Sequence, residues 1–212
     1  MLPGTLCDAR LYAPVLDRLD ARADVVSLTG ADSTTEMARL VLAAAPPRFS
    51  LCGFSLGAIV ALEMIAQAPD RIERLALLGC NPGVLDAKAS AAREALAQSD
   101  FATEDDAPLV HLMARDASPE AYRQQTRMTL SRVDSRPRLS RINAPTLVMC
   151  GALDRICPPA MSIALADDIP GARLVIVPLA GHYLTLERPD LVATELAAWL
   201  AMPAHIHAKE PS

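Results

Sequence analysis

Short apolar runs alternate along this chain with longer stretches in which apolar side chains recur every three or four positions. Runs of the first kind, at residues 24–28, 74–80, 146–151 and 172–177, predict buried strands. Stretches of the second kind predict helices over 34–45, 159–168 and 189–200, and a further helix over 8–19, where Asp8 is placed to cap and Leu11, Val15, Leu16 and Leu19 share a face. The stretch Arg48 to Glu63 joins both kinds: a short strand, the turn Gly53-Phe54-Ser55-Leu56-Gly57, and an apolar helix without Gly or Pro. Strands alternating with helices in this way imply an α/β fold with a mostly parallel, doubly wound sheet.

The alternation stops between residues 84 and 143, which are polar, helix-friendly and punctuated by Pro108, Pro119 and Pro137. About 60 residues make only a thin core of their own, so this segment is expected to be a helical cap inserted into one core formed by residues 1–83 and 144–202. The tail, 203–212, is expected to be mobile.

At 212 residues the chain suits one sizeable core, and its 51% hydrophobic content, with only 3% aromatic, suits aliphatic strands and Ala/Leu-rich helices. The net charge of −5 and the lack of a Lys/Arg cluster argue against nucleic acid or an anionic membrane as partner. Cys7, Cys52, Cys80, Cys150 and Cys157 are odd in number and contain no C-x-x-C pair, so reduced thiols in a cytoplasmic protein are expected. No basic-then-apolar leader and no run of 18 apolar residues is present, which gives no support for export or a membrane span.

The chemistry starts at Gly53-x-Ser55-x-Gly57. At ordinary glycine and serine usage such a pattern arises by chance in roughly one chain of this length in fifteen, so its context matters more than its letters. A strand before it and a helix after it make it a nucleophile elbow: the glycines leave room for a strained turn, and Ser55 stands at a helix N-terminus that favours a developing oxyanion. Two other turns end the last two predicted strands, Gly151-Ala152-Leu153-Asp154 and Leu179-Ala180-Gly181-His182. In open α/β sheets, sites form at the C-terminal ends of strands. In the order Ser55, Asp154, His182, the histidine would take the serine proton, and the aspartate would fix its tautomer and stabilise its charged form.

These residues resemble those of the α/β-hydrolase fold superfamily, in its branch of small cap-bearing esterases, lactonases and C–C hydrolases. The likeness runs through Leu2-Pro3-Gly4-Thr5-Leu6-Cys7-Asp8, Gly53 to Gly57, Pro145-Thr146-Leu147-Val148 with Gly151 and Asp154, and Gly181-His182 followed by Leu186-Glu187-Arg188-Pro189. It implies an oxyanion hole made by the backbone N–H groups of Leu56 and Thr5. It also implies an apolar strand of several residues before the oxyanion turn, which Met1-Leu2 reduces to a stub, and a histidine where Pro3 stands.

The function expected is a cofactor-free serine hydrolase that acts on a small ester, thioester or lactone through an acyl-enzyme, with C–C hydrolysis possible on the same machinery and no metal site. Leu6, Asn81 and Cys157 are candidate pocket residues. The alternative is a weakly catalytic or non-catalytic protein that binds a ligand or partner on the same fold, motivated by the stub strand and the small, aromatic-poor cap. His111 in the cap and His205 and His207 in the tail are expected to lie on solvated surface, and the acidic Glu104-Asp105-Asp106 is expected to start a helix, where carboxylates favour the dipole.

Overall fold

The computed structural model describes residues 1–91 and 108–204. Four strands, β1 (Phe49–Phe54), β2 (Ile72–Leu78), β3 (Thr146–Gly151) and β4 (Arg173–Val177), form one sheet in the order β1-β2-β3-β4, and every pair is parallel. Against the free side of β1 lies Leu2, whose N–H donates to Cys52 O at 2.8 Å and whose carbonyl accepts from Phe54 N–H at 3.0 Å. The stub therefore makes a single rung of ladder, which the buried Tyr12 hydroxyl reinforces by donating to Leu2 O at 2.9 Å.

Helices α1 (Ala13–Leu16), α2 (Thr34–Ala44), α3 (Leu56–Gln67), α4 (Pro108–Asp116), α5 (Pro119–Leu130), α6 (Pro159–Asp168), α7 (Leu184–Glu187) and α8 (Pro189–Leu200) cover both faces. Side chains alternate across a strand, so the sheet divides two cores. Leu51, Leu75, Leu77 and Val148 face α2, α3 and α6, whereas Cys52, Phe54, Ala76, Leu78, Leu147 and Met149 face α1, α4 and α8. Helix α3 is buried from Leu56 to Ile65, as a helix that is apolar on all sides requires.

Two expectations are corrected. The helix over 8–19 divides into a 3-10 turn, Ala9–Leu11, and the short α1. Pro14 lacks an N–H and fits only the first turn of a helix, so the helix restarts around it. The strand over 24–28 is not formed: it meets only the chain's first residue, the Met1 amino group donating to Asp24 O at 2.5 Å and Val26 N–H donating to Met1 O at 3.0 Å, which is too short a pairing to make a strand. The other predicted helices and strands are present within two residues of their expected ends.

Between β2 and β3 the described residues hold a helical stretch at 87–91, α4, α5 and a 3-10 segment, Arg136–Arg141, and no strand. Val110 and Met113 join one core while Met128 and Leu139 join the other. Glu104-Asp105-Asp106, His205, His207 and most of the tail lie outside the described residues. No described helix is long and apolar enough to cross a membrane.

Candidate active site

Three strand ends meet at one edge of the sheet, and the ladder continues past them. Ser55 N–H donates to Leu78 O at 2.9 Å and Gly79 N–H to Met149 O at 2.9 Å, while Ala152 N–H reaches Val177 O at 2.9 Å and Leu153 N–H reaches Ala180 O at 2.8 Å. These bonds stitch the serine, aspartate and histidine turns together in register.

Ser55 has φ 52° and ψ −116°, a backbone region that costs a non-glycine residue about 1–3 kcal/mol and persists only where its surroundings impose it. It occupies the N-cap of α3, yet its side chain makes no capping bond to that helix. Its Oγ instead lies 3.1 Å from His182 Nε2. On the far side of the ring, His182 Nδ1 is 2.8 Å from Asp154 Oδ2. Asp154 is 3% exposed and His182 7%. The other carboxylate oxygen of Asp154, Oδ1, accepts the N–H groups of Ile156 and Cys157, each at 2.8 Å, which fixes the carboxylate plane. Phe54, one residue before Ser55, supports the imidazole with ring centroids 4.9 Å apart.

The N-terminal segment lies directly against this elbow. A Cβ added at Gly57 would meet Leu2 O at 2.2 Å, and one added at Gly4 would meet the buried Phe54 ring at 2.9 Å and Ser55 Cβ at 3.3 Å, so a side chain at either position would force its neighbours to shift. After Gly4 the chain turns, with Cys7 N–H donating to Gly4 O at 3.1 Å and Leu6 at φ 56°. Thr5, Ser55, Asn81, Thr129, Arg132 and Cys157 are among the residues that line a cavity of about 330 Å³ beside the serine, and Leu56 also borders it.

Of the residues singled out from the sequence, Ser55, Asp154 and His182 are brought into hydrogen-bond range of one another, and Thr5, Leu56, Asn81 and Cys157 border the same cavity. Leu6 is not among the lining residues. Its side chain is buried against Ala114 of α4 and Tyr122 of α5. His111 is on an exposed face of α4. Burial pushes the Cys157 thiol up to about 12, with the nearby Asp154 charge adding to the effect, so it lines the cavity as a neutral group. Sequence reasoning did not identify the Ile156 and Cys157 amides, although an aspartate opening a turn is their signal. Arg132 and Thr129 carried no signal, because nothing in their local sequence sets them apart from a solvated helix end.

A model of the alpha/beta hydrolase family matches residues 2–195. The pimeloyl-[acyl-carrier protein] methyl ester esterase of Nitrosomonas europaea is 27% identical, over 75% of this chain and 74% of the relative. The protein of the same name from Aliivibrio salmonicida is 24% identical, over 94% and 90%. In fold, the chain is similar to an esterase from Thermogutta terrifontis, with TM-score 0.81, 23% identity, and coverage of 94% of this chain and 87% of that one. It is also similar to the enol-lactonase from Burkholderia xenovorans LB400, with TM-score 0.79, 21% identity, and coverage of 95% and 90%. With the family match spanning the sheet and all three strand-end turns, this chain belongs to the alpha/beta hydrolase family and is a hydrolase.

Proposed function

We propose that the chain is a serine hydrolase of carboxylic esters whose chemistry is carried by Ser55, His182 and Asp154. The observation that carries this reading is the unbroken series from Ser55 Oγ to His182 Nε2 at 3.1 Å and from His182 Nδ1 to Asp154 Oδ2 at 2.8 Å, at the end of a strained turn. Ser55 Oγ attacks the ester carbonyl carbon as His182 Nε2 takes its proton. The carbonyl oxygen becomes an oxyanion held by the N–H groups of Leu56 and Thr5. His182 then gives its proton to the departing alkoxide, the C–O bond breaks, and an acyl-Ser55 ester remains. Water repeats the sequence, with His182 as its base, and releases the acid. Every proton and electron pair is accounted for by the chain's own side chains, the ester and one water.

The curated relatives are named for a methyl ester of a carrier-linked acyl group. Carried over, that favours an ester with a small alcohol over a thioester or a lactone. The cavity, at about 330 Å³ and with Asn81, Thr129 and Arg132 in its wall, suits a compact acyl group with polar character.

The test is hydrolysis of a panel of short-chain aryl and methyl esters by the wild-type chain and by Ser55→Ala. We expect the variant to lose at least about a thousandfold in kcat while keeping its thermal transition. Comparable turnover by the folded variant would remove Ser55 from the reaction.

A further inference from the structure

The oxyanion turn does not stand alone. Leu6 N–H donates to Gln125 Oε1 at 2.7 Å, a buried bond between residues 119 apart in sequence. The other end of that amide, Nε2, donates to Leu28 O at 3.1 Å, also buried. A backbone N–H needs an acceptor and a backbone carbonyl needs a donor, so the two partners admit only one orientation of the amide. Gln125 belongs to α5, is 4% exposed, and ties the segment between β2 and β3 to the backbone of the turn. Leu6 is also held through its side chain, which packs on Ala114 and Tyr122 from α4 and α5.

That grip falls at a sensitive place. Leu6 has φ 56°, a conformation disfavoured for leucine and kept only where neighbours impose it. Its N–H belongs to the Thr5–Leu6 peptide plane, and the Thr5 N–H belongs to the next plane, hinged at the Thr5 Cα. Fixing one plane limits the other, and oxyanion donors act by being fixed before the reaction begins.

We propose that Gln125 is a positioning residue for the oxyanion hole: by accepting the Leu6 N–H it holds the Gly4–Leu6 turn so that the Thr5 N–H stays aimed at the developing oxyanion beside Ser55. The inference rests on the serine-hydrolase reading above and deepens it. It makes α5 part of the catalytic geometry although Gln125 touches no reacting atom.

The experiment compares the wild-type chain with Gln125→Met, which keeps length and removes the acceptor, and with Gln125→Asn, which keeps an amide but withdraws it by one methylene. Gln124→Met is the control, because the neighbouring Gln124 accepts Gly30 N–H at 3.0 Å from the same helix, at an exposed site. Each is assayed on an aryl ester and on its thionoester, whose sulfur accepts hydrogen bonds poorly and gains little from an oxyanion hole. For both Gln125 variants we expect kcat on the ester to fall about tenfold to a hundredfold, KM to stay within about twofold, and the ester-to-thionoester ratio of kcat to fall by a factor similar to the loss on the ester. Gln124→Met should keep all three. If either Gln125 variant is folded by its thermal transition and retains the wild-type ratio, Gln125 is a packing residue only and the proposal is overturned. Labelling by a fluorophosphonate separates this from failure of the reading beneath it. A wild-type chain that is not labelled at Ser55 would overturn the serine-hydrolase reading and this proposal together, whereas labelling with an unchanged ratio would overturn the proposal alone.

Discussion

Asp154 spends its two oxygens differently, and that division makes a sharp expectation about a single atom. Oδ1 accepts two backbone N–H groups, from Ile156 and Cys157, and Oδ2 faces His182 Nδ1. In Asp154→Asn the two amides would claim the side-chain oxygen, because the NH₂ group cannot accept from them. The NH₂ would then point at Nδ1 and force it to be the acceptor. His182 would carry its proton on Nε2, the side that faces Ser55, and could not take another from the hydroxyl. The expected outcome is a fall in kcat of about 10⁴-fold with little change in KM or thermal stability, measured on the ester that the wild-type chain turns over best. A loss below about tenfold would mean that the tautomer of His182 is set by something else. At this scale the site was legible where chemistry needs a particular residue type in a particular turn, as for Ser55, Asp154 and His182. It was not legible for Gln125, whose partner lies 119 residues away and whose local sequence reads as one more polar position on a helix.

At the scale of elements, the strand and helix pattern was readable wherever one stretch of chain decides its own burial. Helices α6 and α8 and strand β3 keep the ends that their apolar periodicity predicts. The failures have local causes: Pro14 restarts a helix that side-chain spacing alone would run through, and 24–28 lacks a partner strand long enough to make it one. What periodicity cannot show is how elements lock to each other. Glu63, buried in the middle of the otherwise apolar α3, accepts from Thr35 Oγ1 of α2 at 3.1 Å and from Arg138 of the Arg136–Arg141 segment. One carboxylate thus joins the elbow helix to two neighbours. Its side chain is 4% exposed while that of Arg138 is 32% exposed. Arg138→Ala should therefore cost about 2 kcal/mol, less than the loss of a partner from a wholly buried pair, because solvent screens part of the interaction. Urea denaturation provides the measure. The double variant Arg138→Ala with Glu63→Gln should recover part of the loss, since a neutral amide no longer needs a cation. A double variant that is less stable by the full sum of both single changes would mean that the two groups do not interact.

For the molecule as a whole, the same burial that builds the two cores sets a limit on the alkaline side. All five cysteines are buried, and none is in a disulfide. Burial pushes the thiol of Cys52 up to about 11 and that of Cys157 to about 12, and it also raises the Cys80 thiol and the Tyr12 hydroxyl. An unfolded chain releases thiol protons near pH 8.5. Above that pH the unfolded state binds fewer protons than the folded one, so the free energy of unfolding falls as pH rises; below it these groups are protonated in both states and contribute no slope. Each fully shifted thiol adds a slope of about −1.4 kcal/mol per pH unit between the unfolded and folded values. Stability should therefore be flat with respect to these groups up to about pH 8 and decline steeply from about pH 9 toward 11. Urea midpoints at half-unit pH steps test this, with Cys52→Ala as the comparison: whatever the substitution costs at pH 7, its curve should fall less steeply above pH 9, by roughly one thiol's share. Equal slopes in the two chains would mean that Cys52 ionises in the folded state as readily as in the unfolded one. Cys52 lies in β1, two residues before the elbow turn's Phe54, and its carbonyl holds the Leu2 segment against that turn. Unfolding undoes the strand that leads into Ser55, so the alkaline limb of ester hydrolysis should follow the unfolding transition.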